Sequence, residues 1–362
     1  MSEDINKVSP NNTEQIVLSI DAMGGDLGAT AVIAGMQVFF KQNQDVKFIV
    51  HGDEVEIKRL LSKYSSLSSS CEIRHCDEAV GMDDKPSHVM RHGKNTSMWS
   101  SIESVRDKQA QAAVSCGNTG ALMAVSMIRL RKAPGINRPA IAILWPSENP
   151  QGSNIMLDVG ADIRAEASDL LQYALMGVSY ARNGLDVKRP RIGLLNVGTE
   201  EHKGRVELKE AHERIAEQAE KANYEFVGFV EGGDIPSDKV DVIVTDGFTG
   251  NVALKAAEGT ATQVRKLLRQ TFKQTPLAML GALLAYGALR KLSIKIDPRR
   301  SNGGVFLGLN GTVVKSHGGA DANGFAAAIN LAYRLAKNDF TGRLAARVTS
   351  GSAPAETVTS KT

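Results

Sequence analysis

Short apolar runs alternate with amphipathic segments along residues 16–340. Apolar runs of about five residues are typical of buried strands, and apolar positions three or four residues apart predict helices. The predicted strands, each followed by a helix, are residues 16–20, 46–51, 112–115, 155–159, 191–196 and 240–245. This order predicts a three-layer α/β/α, Rossmann-like fold with a mostly parallel sheet.

The rest of the chain changes this picture little. No long linker interrupts the pattern, so we predict a single domain over residues 16–342. Residues 1–15, which lack the apolar core of a signal peptide, and residues 343–362 are predicted to be flexible tails. Three cysteines in 362 residues are too few for a disulfide framework, which favours the cytoplasm. No metal-ligand spacing stands out, and we predict no metal and no cofactor.

Five predicted strands end in loops rich in glycine or small polar residues, at residues 21–26, 115–120, 158–162, 196–200 and 245–251. The carboxyl ends of parallel strands meet at one edge of a sheet, where such folds bind ligands. We therefore expect these loops to lie together and form a site. Tight turns are the alternative explanation for any one of them.

Two of these loops share the pattern Gly-x-Thr-Gly, Gly117-Asn-Thr-Gly120 and Gly247-Phe-Thr-Gly250, directly before an apolar helix. Glycine allows backbone N–H groups to approach a ligand, and the start of a helix offers unpaired donors and partial positive charge. The pattern favours an anion such as phosphate. The predicted binding residues are Gly117, Asn118, Thr119, Gly120, Asp246, Gly247, Thr249, Gly250 and, in a later loop, His317.

Other phosphate and hydrolase motifs do not occur. The sequence has no Walker loop and no Gly-x-Gly among its 34 glycines, which disfavours a nicotinamide-dependent dehydrogenase. It also has no Gly-x-Ser-x-Gly elbow. Cys116 stands at a helix start, where a thiolate would be stabilised, but a small packed side chain is the favoured interpretation. Lys203, in a strand-end loop, is a candidate cation for phosphate.

The positive charge is concentrated in residues 265–300, which contain nine Lys or Arg and one acidic residue. Within this segment the uncharged run 276–289 is too short to span a bilayer, which needs about 20 residues. An apolar tip between cationic flanks favours contact with an anionic membrane surface, although a buried helix, a dimer contact or docking of an acidic protein is an alternative. Few aromatic residues accompany the charges, so we predict no nucleic acid partner.

Several separated motifs together resemble the bacterial phosphate acyltransferase (PlsX) family. They are Asp21-Ala-Met-Gly-Gly-Asp26, Gly117-Asn-Thr-Gly-Ala-Leu122, Arg138-Pro-Ala140, Gln172-Tyr-Ala-Leu-Met-Gly177, Leu194-Leu-Asn-Val-Gly198, Thr245-Asp-Gly-Phe-Thr-Gly-Asn-Val252 and His317-Gly318. The resemblance implies transfer of a fatty acyl group from acyl carrier protein to inorganic phosphate. It also implies a homodimer, a fold similar to phosphotransacetylases and decarboxylating dehydrogenases, and a downstream glycerol-phosphate acyltransferase that uses the product for phospholipid synthesis.

The resemblance also implies residue roles. Lys203 and Asn251 match the family's critical lysine and asparagine, which we expect to neutralise phosphate charge and to donate to phosphate or the oxyanion. Asp21 and Asp246 are expected to orient loops or Lys203, because carboxylates repel phosphate. Three positions depart from the family pattern: Cys116, Asp162 and Asn302. A carboxylate at 162 near an anion site requires a partner.

Overall fold

A computed structural model describes residues 15–295, 303–338 and 340–342. Its eleven strands are β1 Ile16–Asp21, β2 Val46–Gly52, β3 Cys71–His75, β4 Ala112–Ser115, β5 Ala140–Pro146, β6 Ser153–Leu157, β7 Arg191–Leu195, β8 Glu225–Val230, β9 Val242–Val244, β10 Gly304–Leu307 and β11 Thr312–Lys315. Residues 1–14 of the predicted tail 1–15, the predicted tail 343–362 and Asn302 lie outside the described residues.

Helices cover both faces of the sheet. Those found in the described residues are α1 Gly28–Phe40, α2 Glu54–Leu61, α3 Ser65–Ser68, α4 Pro86–His92, α5 Ser97–Arg106, α6 Thr119–Arg129, α7 Ala167–Gly184, α8 Val206–Gln218, α9 Gly247–Phe272, α10 Pro276–Leu284, α11 Tyr286–Lys295 and α12 Ala322–Lys337. Alternate strand residues point to opposite cores: Val114 packs in one and Ala113 in the other. Burial on both faces is the reason for continuous apolar strands.

The eleven described strands belong to one sheet, in the order β3-β2-β1-β4-β11-β10-β5-β6-β9-β7-β8. The predicted mostly parallel α/β fold is confirmed. Three antiparallel pairings, β11 with β10, β10 with β5 and β5 with β6, lie in the middle. They divide the sheet into two parallel blocks of opposite direction. Strands β3, β5, β8, β10 and β11 were not predicted, and the last two have only four residues each and are flanked by glycine.

The expectation that five strand-end loops share one edge of the sheet is wrong. The loops after β1 and β4 follow one block, and the loops after β6, β7 and β9 follow the other. Neighbouring strands twist by roughly 20–25°, so the five pairings from β4 to β9 accumulate roughly 100–125°. This twist turns the second block toward the first, and loops from both blocks border one cavity.

Helix α9 begins at Gly247, four residues before Asn251, where the sequence pattern predicted its start. Asp246 is the reason, because its carboxylate accepts a hydrogen bond from the backbone N–H of Thr249 and caps the helix. The Gly-Phe-Thr-Gly stretch is therefore the first turn of α9 and not a loop before it.

Helices α9, α10 and α11 form the described part of the basic segment, and residues 296–300 lie outside the description. Along α9 only Gly247 and Gly250 are buried, and α10 buries none of its residues. Leu277 and Leu284 are 79% and 82% exposed. No helix within the described ranges has the length and apolar character needed to cross a membrane.

Candidate active site

A cavity of about 720 Å³ lies on one face of the sheet, between the start of α6 and the first turns of α9. Its floor is a row of residues that are neighbours across three strands: Lys315 on β11, Gly304 on β10 and Ile143 on β5. Lys315, Gly304 and Ile143 line the cavity. The floor therefore changes from cationic to apolar over two strand spacings, roughly 10 Å.

The start of α6 supplies backbone donors at the polar end of the cavity. The side chain of Asn118 caps the helix by accepting from the N–H of Ala121 at 2.9 Å, and its amide donates to the carbonyl of Met82. Thr119 and Gly120 line the cavity and are exposed. Their N–H groups have no hydrogen-bond partner among the described residues. Open amides on an uncharged helix start are suited to an anion.

Lys315 is a cation at this end of the cavity, and Lys255 of α9 also borders the cavity. It is half-buried, and its Nζ donates to the carbonyl oxygens of Cys116, at 3.4 Å, and Ser316. Burial lowers the pKa of Lys315 to about 8, so the ammonium is mostly charged at neutral pH. The sequence analysis missed this residue. The available signal was a lysine that closes an apolar strand immediately before Ser316-His317.

Asn251 enters the cavity from the opposite side, on the second turn of α9. It is exposed, and Gly160, from the loop after β6, lies beside it: a Cβ built on Gly160 would be 3.8 Å from the Cβ of Asn251. His317 also lines this end of the cavity, and its Nδ1 accepts from the N–H of Gly319. The structure thus brings Thr119, Gly120, Asn251 and His317 of the predicted residues around one space.

The first turn of α9 is packed against protein. The N–H of Gly247 donates to the carbonyl of Asp162 at 2.7 Å, and a Cβ on Gly247 would come within 2.7 Å of the carboxylate of Asp158. A Cβ on Gly250 would collide with the carbonyl of Asp158. These glycines allow the helix to approach the loop after β6. Their assignment to substrate, with that of Gly117 and Thr249, stays a prediction.

Asp246 is buried and fully engaged at this helix start. It accepts from the N–H and hydroxyl of Thr249 and forms an ion pair with Arg205. The expected partner, Lys203, instead pairs with Glu200 at 2.7 Å, and its side chain is 42% exposed. Lys203 lies two residues from Arg205 and does not border the cavity. Hydrogen bonding to Lys203 lowers the pKa of Glu200.

Asp162 has the partner that its position requires. The buried carboxylate accepts from the guanidinium of Arg138 at 2.8 Å and from the hydroxyl of Tyr173 at 3.0 Å. Next to it, Asp158 accepts from the N–H groups of Ile141, Ala161 and Asp162, and its burial raises its pKa to about 6. The two carboxylates therefore hold the loop that supports α9.

The surroundings of Asp21 and Cys116 indicate roles in holding the fold and not in the reaction. Asp21 is buried and accepts from the hydroxyls of Ser97 and Ser115, each at 2.6 Å, so it holds the loop after β1 against β4. Burial raises the pKa of Asp21, and it raises the pKa of the Cys116 thiol to about 11. A thiol that stays protonated at neutral pH is a poor nucleophile.

Among the described residues, no cluster of three His, Cys, Asp or Glu could hold a metal.

Comparison with known proteins identifies the family. A family model described as "Fatty acid synthesis protein" matches residues 16–343. A phosphate acyltransferase from Jannaschia sp. (strain CCS1) is 67% identical over 345 residues, 95% of this chain and 94% of the relative. Another from Paracoccus denitrificans (strain Pd 1222) is 64% identical and covers 94% and 92%. The chain belongs to the phosphate acyltransferase (PlsX) family.

Membership in the phosphate acyltransferase family confirms the resemblance and makes this protein an acyltransferase of fatty acid and phospholipid synthesis. Two solved phosphotransacetylases share its fold. The one from Streptococcus pyogenes has a TM-score of 0.58 at 18% identity, and EutD from Staphylococcus aureus has 0.56 at 15%. Both alignments cover 89% of this chain and 95% of the other. At such identities the likeness bears on the fold alone.

Proposed function

We propose that this enzyme reversibly transfers a fatty acyl group from acyl carrier protein to inorganic phosphate. The observation that supports it is one cavity with two chemically different halves. Open amides and Lys315 border one half, and apolar side chains border the other. Acyl phosphate, the product, combines an anion with an apolar chain in the same way.

The chemistry needs positioning more than acid–base catalysis. An oxygen of phosphate attacks the thioester carbonyl carbon, the carbon–sulfur bond breaks, and the carrier leaves as a thiol after taking up a proton. Phosphate is already an anion, so the enzyme must hold it and offset its charge. The N–H groups of Thr119 and Gly120 and the ammonium of Lys315 do this. The amide of Asn251 donates to the developing oxyanion from across the cavity.

Lys203 keeps the role that the family resemblance implies, as a second phosphate cation. To act there it has to exchange Glu200 for phosphate, a change that its exposed loop permits. If Lys203 meets phosphate in the reaction, Lys203→Ala slows turnover strongly. If Glu200 is its permanent partner, Lys203→Ala keeps wild-type turnover and phosphate is held without Lys203.

The deciding experiment follows phosphate-dependent cleavage of palmitoyl-acyl carrier protein by the purified enzyme, with acyl phosphate measured directly. The expected result is turnover that requires phosphate and yields one acyl phosphate per free carrier thiol. Absence of acyl phosphate with every carrier-bound chain would reject the proposal. Coenzyme A thioesters and nicotinamide cofactors would then be tested, as substrates of a phosphotransacetylase or a decarboxylating dehydrogenase.

The basic segment supports a second part of this proposal, peripheral membrane contact of a cytoplasmic homodimer. Along the chain, the exposed leucines of α10 lie between two groups of cations: Arg265, Lys266 and Arg269 on α9 with Lys273 just after it, and Arg290 on α11. An apolar tip flanked by cations is suited to anionic lipid. Acyl phosphate released there meets the glycerol-phosphate acyltransferase that consumes it and leads to phosphatidic acid.

Membrane contact is tested with vesicles that contain anionic phospholipid. Reversing the charge of Arg290 and Lys291 to glutamate is expected to release the enzyme from these vesicles, because each cation near such a surface contributes about 1 kcal/mol. Reversal of Lys58 and Lys63, in and just after α2, is the matched control. Unchanged sedimentation of the Arg290/Lys291 variant with vesicles would reject this use of the segment.

A further inference from the structure

The half of the cavity away from Lys315 has an apolar wall that the proposed phosphate site does not use. On one side β5 borders the cavity with Ile143, Leu144, Trp145 and Pro146, all only half-buried although apolar, and Leu144 packs against the opposite core. Ile143 and Trp145 lie two residues apart on the same strand face and pack on the core beneath the cavity. Apolar side chains left open in a cavity are typical of a site for an apolar ligand.

Helix α9 forms the facing wall. Leu254, Ala257 and Ala261 border the cavity, at spacings of three and four residues that place them on one side of the helix. Asn251 lies one turn before Leu254 on the same side. A single helix face therefore starts with a polar amide at the reacting end and continues with apolar side chains. The two alanines leave room between helix and strand.

We propose that the groove between residues 143–146 of β5 and the Leu254–Ala257–Ala261 face of α9 holds the acyl chain, and that Ala257 and Ala261 set the longest chain accepted. This inference rests on the proposed function, whose substrate it describes further. The thioester carbonyl would lie near Asn251, and the chain would extend along α9 away from Lys315.

The charges around the groove agree with an acyl chain as occupant. Glu258 borders the groove but is paired with Lys255 at 2.9 Å, and Glu148 is exposed at the end of β5. The groove is continuous with the polar end, because Gly304 lies between Lys315 and Ile143 and has no side chain to divide the floor. One ligand with an anionic end and an apolar body can therefore occupy both halves.

The test is a chain-length profile. We would measure kcat/KM with acyl carrier protein carrying butyryl, octanoyl, dodecanoyl and palmitoyl groups, for the wild type and for Ala261→Trp. Each methylene withdrawn from water changes binding roughly fourfold. We expect the palmitoyl-to-butyryl ratio to fall at least tenfold in Ala261→Trp, with butyryl turnover kept. Ala257 lies nearer the reacting end than Ala261. In Ala257→Leu we therefore expect kcat/KM to start falling at a shorter acyl chain than in Ala261→Trp.

Thr262→Trp is the matched control, because Thr262 is the next residue of α9, is exposed and does not border the groove. Its profile should equal the wild type's. An unchanged profile in both Ala261→Trp and Ala257→Leu would overturn the inference. The inference would also be overturned if these variants changed the molecular mass, measured by light scattering, and kept the wild-type chain-length profile. The groove would then be an interface between two copies of the chain. Failure of the proposed function looks different: the wild type forms no acyl phosphate from any donor.

Discussion

The two Gly-x-Thr-Gly stretches look equivalent in sequence but serve different purposes in the structure. Gly117 precedes the start of α6, whereas Gly247 is the first residue of α9. Asn118 caps α6 without charge, and the next two amides open into the cavity. At α9 a buried, negatively charged Asp246 is the cap, and the first amide is bonded to Asp162.

The difference shows that the residue before a helix decides whether its start can bind an anion. Asparagine and aspartate cap equally well, but aspartate adds a negative charge where phosphate would lie. At α9 the carboxylate of Asp246 forms an ion pair with Arg205, and Gly247 and Gly250 allow the helix to pack closely against the loop after β6. Helix α6 therefore contributes backbone donors to the cavity, and α9 contributes the side chain of Asn251.

The largest effect on activity is expected from removing the amide of Asn251, the group that α9 contributes to the cavity. Asn251→Ala should lower kcat by about 100- to 1,000-fold, the usual cost of losing one oxyanion donor. The measurement is acyl phosphate formation at saturating donor and phosphate. Val252→Ala, an exposed neighbour that does not border the cavity, is the control. Wild-type kcat in Asn251→Ala would mean that α9 has only a packing role.

Lys315→Met should have the next largest effect, a lower kcat/KM for phosphate. A hydrogen bond between charged groups contributes about 1.5–3 kcal/mol, so kcat/KM for phosphate should fall about 10- to 150-fold, with partial recovery in Lys315→Arg. Because a lysine is charged below its pKa, the KM of the wild type for phosphate should rise as pH increases through about 8. A KM that stays flat across this range would argue against Lys315 as the cation.

The difference between the two helix starts is tested by exchanging their capping residues, Asn118 of α6 and Asp246 of α9. Asn118→Asp should raise the KM for phosphate about 30-fold, since a like charge about 8 Å away costs on the order of 2 kcal/mol at an effective dielectric of about 20. Asn118→Ser, which also loses the bond to Met82 but adds no charge, is the control. Asp246→Asn should leave this KM within about twofold. Equal effects of Asn118→Asp and Asp246→Asn would mean that both helix starts meet phosphate.

How far the sequence predicts this site differs between residues. Asn118 and Thr119 were predicted because Gly-x-Thr-Gly directly before an apolar helix places unpaired backbone donors at a helix start. Lys315 was missed because its strand has only four residues and pairs in parallel with β4, about 200 residues earlier in the chain. The boundary of α9 was misplaced because an apolar pattern cannot register a helix turn made of glycine, threonine and an exposed phenylalanine. The cap at Asp246 was the better signal.

Local patterns and motifs were enough to predict the alternation of strands and helices, the family and the start of α6. Which of these residues meet depends on the folded chain. Long-range pairing of β10 and β11 between β4 and β5 places Lys315 on the cavity floor, and the twist of the sheet brings Asn251 to face Thr119. Neither strand pairing nor accumulated twist is encoded in any single segment, so the cavity exists only once the whole sheet has formed.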